Sequence, residues 1–213
     1  MKLKFGGINN LIIAAESGYY YGWNKHGKDL VYHKLKELGD WGWHESVLEI
    51  MKSYQERADG SLVTVKDASV RWYYKDVDAD FALKESNELV AHLQTIFEYL
   101  PLDIIHEKDY VEVKPIGVDK GGYTKELLKF VYQRKGIPDF ILCIGESEND
   151  EQMFKEINKF AKVHSIENKV YCITLEQRMS EAKYYLNNYT EVISTLEDII
   201  LPSSRVLFIF IHS

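Results

Sequence analysis

Two short apolar runs, FILCI at residues 140–144 and VYCITL at 170–175, constrain the fold of this chain more than any other feature. Neither shows the strict polar alternation of a half-exposed strand. Each reads as a strand buried on both faces, the signature of a parallel sheet covered by helices. Stretches of helical length and amphipathic pattern surround them, at about 119–134, 149–162 and 190–200. Strand and helix thus alternate from residue 116 onward, which implies a doubly wound parallel α/β core. A third continuous apolar run, residues 11–15, ends at Glu16-Ser17-Gly18 and reads as another strand of that core, followed by an irregular connection over 19–40.

The rhythm is different between residues 41 and 115. Trp43, Val47, Ile50, Met51 and Tyr54 recur at helical spacing. Asp59-Gly60 marks a turn, and residues 61–65 and 69–74 read as two strands joined at Lys66-Asp67. A second helix carries Leu89, Leu93, Ile96, Phe97 and Leu100 on one stripe and closes at Pro101. Two more short strands follow at 103–106 and 110–114. Strands adjacent in sequence usually pair, so this segment is expected to form an antiparallel sheet with both helices on one face. The organisation is a split core, residues 1–40 and 116–201, with an α/β module of residues 41–115 inserted. The tail 202–213 is assigned to neither part.

Composition enters as a filter. Of the 213 residues 46% are hydrophobic, enough for a buried core, and the net charge of −7 has no basic run to offset it. A nucleic-acid footprint is therefore not expected. The last apolar run, 206–211, is far shorter than the ~20 residues of a membrane helix, and residues 1–10 lack a secretory apolar stretch. The two cysteines, Cys143 and Cys172, each lie inside an apolar run, as thiols buried in a reducing compartment do. A soluble, cytoplasmic protein with no membrane or nucleic-acid partner is expected.

Two segments carry chemistry. Gly117-Val118-Asp119-Lys120-Gly121-Gly122 stands where a helix begins. Free amides there favour an anion, and Lys120 adds a point charge; the same residues also describe an Asp-capped helix with a surface lysine. Gly145-Glu146-Ser147-Glu148-Asn149-Asp150 follows a buried strand, at the carboxyl edge where open α/β sheets bind ligands. Glu146 and Asp150 offer the hard oxygens that magnesium takes, but Ser147-x-x-Asp150 is also a capping-box pattern that needs no metal. A third acidic cluster, Asp76-Val77-Asp78-Ala79-Asp80, precedes an amphipathic helix and reads as a hairpin exit and helix start.

Six stretches, in order, resemble the phosphatase domain of trehalose-6-phosphate phosphatases, above all the carboxyl-terminal half of fused synthase/phosphatase proteins. They are NLIIAAESGYYYGW, YQERADGSLVTVKDASVRWYYKDVDADF, ELVAHLQTIF, VEVKPIGVDKGGYTKELL, PDFILCIGESENDEQMF and SEAKYYLNNYTEVISTL, and the likeness covers roughly residues 10–199. The resemblance implies the haloacid dehalogenase superfamily, with a Rossmann-like core and an α/β cap. It implies an aspartate nucleophile that forms an aspartyl-phosphate, a second aspartate as general acid and base, and magnesium (Mg2+) as cofactor. It assigns the phosphate-binding lysine to Lys120 and the metal loop to Glu146 and Asp150. Lys66, Lys75, Glu112 and Gly117 fall at substrate-binding positions, with trehalose 6-phosphate as the sugar phosphate. The implied partner is a trehalose-phosphate synthase domain or an amino-terminal segment.

The departures from that pattern are specific. The motif Asp-x-Asp-Gly-Thr does not occur in residues 1–213, and residues 1–10 contain no Asp. The usual Gly-Asp-Asp-x-x-Asp is here Gly145-Glu146-Ser147-Glu148-Asn149-Asp150, and a usual Glu, His and Arg of the cap are Thr64, Tyr73 and Lys75. Lys cannot grip two oxygens in a planar fork as Arg does. The expected function is a trehalose-6-phosphate phosphatase-like domain of trehalose biosynthesis whose 213 residues do not turn over alone. A non-catalytic regulatory or scaffold domain is the alternative, and a phosphatase for another sugar phosphate a weaker one. Without the first core strands, the strands near residues 12 and 142 are expected to expose apolar edges and leave the chain prone to aggregate.

Overall fold

The computed structural model describes residues 11–23, 31–35, 42–200 and 207–210. The chain divides into two compact units, residues 1–35 with 119–213, and residues 36–118.

The first unit is built on a parallel sheet. Its strands are β8 (Ile141–Gly145), β9 (Val170–Leu175), β10 (Tyr184–Leu186) and β11 (Leu207–Phe210), in the order β10-β9-β8-β11. Side chains of a strand alternate between faces, and the two faces of β8 pack differently. Ile141 and Cys143 join a core formed by α3 (Lys120–Lys135) and α4 (Glu148–His164), through Tyr123, Leu128, Met153, Phe154 and Ile157. Leu142 and Ile144 face the opposite layer, where Val192 of α5 (Tyr189–Ile200) packs. Helices on both faces explain why these runs lack polar alternation. Cys143 and Cys172 are directly opposite in the β8–β9 register, as buried free thiols. Burial pushes the Cys143 thiol well above its usual range, which makes it inert as a nucleophile.

The run at 11–15 behaves otherwise than expected. β1 (Ile12–Ala15) does not join the parallel sheet. It pairs antiparallel with β2 (Tyr20–Trp23), which pairs with β3 (Val31–Lys34), inside the stretch expected to be irregular. A tight turn reverses the chain: Glu16, Ser17 and Gly18 all have positive φ, and a Cβ on Gly18 would stand 2.3 Å from Tyr123 Cβ. Only glycine fits that approach. An apolar run four residues long looks the same whichever neighbour it pairs with, and only Ile13 of β1 is fully buried.

The tail also departs from expectation. Residues 207–210, left unassigned above, form β11 and lie parallel to β8 from Leu207 opposite Ile141 to Phe210 opposite Ile144. The strand near 142 therefore has a neighbour on each side, and the bare apolar edge predicted for it is not found. The rest of the tail lies outside the described residues.

The second unit has α1 (Trp43–Arg57), α2 (Ala79–Ile96) and an antiparallel sheet of β4 (Leu62–Val65), β5 (Val70–Tyr73), β6 (Leu102–His106) and β7 (Tyr110–Pro115), ordered β4-β5-β7-β6. Val47, Met51 and Tyr54 of α1 and Leu89 and Leu93 of α2 pack on Val70, Trp72, Val111 and Val113 of the central strands. The acidic cluster at 76–80 starts α2: Asp78 is its N-cap and accepts a hydrogen bond from the Phe81 amide at 3.1 Å.

Candidate functional site

The carboxyl end of β8 meets the amino ends of α3 and α4. Asp119 caps α3 by accepting the Gly122 amide at 2.7 Å, which places Lys120 as the first helical residue. The Lys120 side chain is turned inward, not out to solvent as an ordinary surface lysine would be. Its residue is 3% exposed, and Nζ donates to Asp150 Oδ1 at 2.7 Å. A buried ammonium is tolerated only with an anion against it.

Asp150 is the hub of the loop. Its Oδ2 accepts the Glu146 amide, the Ser147 amide and the Ser147 hydroxyl, each at 2.9 Å. Burial alone would raise this carboxyl. The Lys120 ammonium and the Ser147 donors outweigh it and hold the group below its usual range, so the carboxylate form is favoured. Gly145 makes the arrangement possible, because a Cβ there would fall 2.5 Å from Asp150 Cβ. The capping reading and the lysine reading thus meet in one residue: Asp150 turns the loop into α4 and neutralises Lys120.

Glu146 differs in every respect. It is exposed, and its carboxylate accepts a hydrogen bond from the Tyr189 hydroxyl at the start of α5. That bond raises the Tyr189 phenol above its ordinary value. Among the described residues no group of three or more His, Cys, Asp or Glu side chains gathers as a metal cluster. Magnesium needs fewer when substrate phosphate and water complete its shell, and Glu146 has the exposed hard oxygens for it. Asp150 has already committed one oxygen to Lys120 and the other to three donors.

Two neighbours of the loop had no signal in the sequence. Arg178, past the end of β9, donates from Nη2 to the Ser147 carbonyl at 3.0 Å and to Glu151 at 2.8 Å, and from Nε to the Thr174 hydroxyl at 3.0 Å. It ties the end of β9 to the N-cap and first turn of α4. Tyr189 reaches Glu146 from 43 residues away.

The remaining predicted residues lie in the second unit. Lys66 and Lys75 are exposed, and Gly117 takes a positive φ of 78° in the turn after β7. Glu112 is buried and ion-paired: it stands opposite Arg71 in the β5–β7 register and accepts Arg71 Nη2 at 2.9 Å. Arg71 also donates to the Tyr73 hydroxyl at 2.6 Å and lies over the Tyr110 ring at 4.3 Å. Among the described residues no helix is long and apolar enough to cross a membrane.

Comparison with known proteins bears on this geometry. A trehalose-phosphatase family model matches residues 2–189. A probable α,α-trehalose-phosphate synthase of Arabidopsis thaliana is 35% identical over 197 residues, which are 92% of this chain and 22% of that protein. Another from the same plant is 36% identical over 196 residues, again 22% of its length. The chain thus spans about a fifth of the length of these curated relatives. The carboxyl-terminal domain of a Candida albicans trehalose-6-phosphate phosphatase superposes with a TM-score of 0.75 at 25% identity, covering 95% of this chain and 75% of that one. The carboxyl-terminal domain of the C. albicans trehalose synthase regulatory protein gives 0.73 at 19% identity, covering 92% and 76%. The second likeness speaks to fold alone, a mixed α/β architecture.

Proposed function

Since this chain belongs to the trehalose-phosphatase family, we propose that it supplies the phosphate-holding half of a trehalose-6-phosphate phosphatase-type site. The observation that carries the reading is the buried Lys120–Asp150 pair at the carboxyl end of β8. Asp150 uses one of the three donors of the ammonium, and the others would be offered to a phosphoryl oxygen. Glu146 would hold magnesium, which supplies Lewis-acid stabilisation of phosphoryl charge when bound. Asp150 would act on the substrate only through Lys120, and Arg178 would keep the Glu146–Ser147 turn in place. Lys66 and Lys75 would contribute to sugar recognition.

Covalent phosphoryl transfer needs a positioned nucleophile. The family's Asp-x-Asp-Gly-Thr does not occur in residues 1–213. The 213-residue chain is therefore expected to bind trehalose 6-phosphate and leave it intact. The test is phosphate release with magnesium, by this chain and by a fusion that adds an Asp-x-Asp-Gly-Thr strand before residue 1. Turnover by the fusion, lost on Lys120→Met, supports a phosphatase.

A second reading is favoured by Arg71. Its guanidinium occupies Glu112, an acceptor the family is expected to use on sugar hydroxyls. A domain with Glu112 engaged in this way would serve as a non-catalytic partner of a trehalose-phosphate synthase. Binding without turnover even by the fusion selects that reading over the first.

A further inference from the structure

The loop after β8 holds its two candidate carboxylates in opposite ways. Asp150 is enclosed, and both its oxygens already face donors. Glu146 is exposed, and its amide is tied into the loop by Asp150 Oδ2 at 2.9 Å. Its carboxylate, however, hangs several rotatable bonds away from that fixed backbone. The aspartate usual at this position would be one methylene shorter. A long exposed side chain must give up rotamer freedom before it can ligate a cation, so a strong site needs a second anchor on the arm.

Among the described residues the Glu146 carboxylate has one hydrogen-bond partner, the Tyr189 hydroxyl, which donates to Oε2. Tyr189 is 63% exposed, so this side chain does not build the core. Its backbone is fixed all the same. It is the first residue of α5, and two bonds hold the start of that helix. Asn188 Oδ1 accepts the Glu191 amide at 3.0 Å, and the Glu191 carboxylate accepts the Asn187 amide at 2.9 Å. The Tyr189–Glu146 bond therefore joins two anchored backbones, the end of β8 and the start of α5. A phenol is a neutral donor at neutral pH, so it directs the carboxylate and leaves its charge intact. Lys120 does the opposite to Asp150, whose charge it neutralises. Among the described residues no hydrogen bond reaches Glu146 Oε1, the oxygen left to face a cation.

We propose that Tyr189 is a positioning residue for a divalent cation on Glu146. Its hydroxyl holds the longer carboxylate arm in the conformation that ligates the ion. Partners of this kind, bonded to a metal ligand but not to the metal, are worth about 10–100-fold in metal affinity. The proposal rests on the reading of Glu146 as the magnesium-holding residue, and it adds a requirement that lies outside the loop.

Mn2+ titration of the full chain, read by water-proton relaxation, tests it, because manganese takes the same oxygen ligands as magnesium. Tyr189→Phe should weaken Mn2+ binding about 10-fold or more, with the urea unfolding midpoint unchanged. Glu146→Asp draws the carboxylate back from the hydroxyl. Adding Tyr189→Phe to Glu146→Asp should therefore change binding by less than about 2-fold. A merely structural role for Tyr189 would weaken binding equally in both backgrounds, and that result overturns the proposal. So does unchanged or tighter binding by Tyr189→Phe while Glu146→Gln loses it. Mn2+ binding that Glu146→Gln leaves untouched, or no binding by the wild type, refutes the magnesium reading itself and takes this proposal with it.

Discussion

Replacing Lys120 with methionine should destabilise this chain far more than removal of a surface lysine. The ammonium is enclosed, with the Lys120 side chain 4% and the Asp150 side chain 2% exposed, at 2.7 Å. Removing one partner of a buried pair strands the other charge, at about 3–5 kcal/mol. Asp150 keeps three other donors, which places Lys120→Met near the lower end, about 3 kcal/mol. Asp150→Asn alone strands the ammonium and weakens the turn, with a similar cost. The double variant Lys120→Met/Asp150→Asn removes both charges and should recover much of the loss, a coupling of about 2 kcal/mol or more. Urea unfolding of the four proteins at pH 7 measures this. The pH dependence supplies a second readout. Asp150 is held below its unfolded value, so its stabilisation is full above the unfolded carboxyl range and is lost as pH falls through the folded value. In Lys120→Met burial is less opposed, the folded value rises, and the acid limb moves to higher pH. Single costs under about 0.5 kcal/mol that simply add, with an unmoved acid limb, would refute a buried, mutually dependent pair.

Arg71→Leu leaves Glu112 buried at 6% exposure without its cation. It should cost about 2–3 kcal/mol in thermal or urea unfolding, with Arg71→Leu/Glu112→Gln closer to wild type. Gly145→Ala places a methyl where Asp150 Cβ stands, 2.5 Å away. It should cost about 1–3 kcal/mol and weaken any phosphate binding by Lys120, read by calorimetric titration with inorganic phosphate. Arg178→Met should speed hydrogen exchange at the Ser147–Glu151 amides while leaving the β4–β7 sheet unchanged, because its anchors at Thr174, Ser147 and Glu151 are all local.

The parts of this molecule that were legible in the sequence are those set by local pattern. The runs FILCI and VYCITL lack polar alternation because helices cover both faces, and they became β8 and β9. Asp119 announced a helix start and became an N-cap. The 145–150 segment offered a metal loop or a cap, and the geometry joined Asp150 to Lys120, a pairing across 30 residues that neither motif contained. The parts that stayed hidden depend on register or crossover. Arg71 and Glu112 each look like an ordinary polar position of an alternating strand until β5 and β7 are aligned. The run LFIF carries no mark of which strand it will join, and β1 shows that a short apolar run does not reveal its direction of pairing. Arg178 and Tyr189 follow from loop paths, for which the sequence has no periodic signal.

Phosphorus NMR of trehalose 6-phosphate titrated with the 213-residue chain in magnesium separates binding from turnover. A saturable shift of the sugar-phosphate resonance is expected, absent with Lys120→Met, with no inorganic phosphate signal after prolonged incubation. A growing inorganic phosphate peak from pure protein, or a resonance that ignores the wild type and the variant alike, would contradict it.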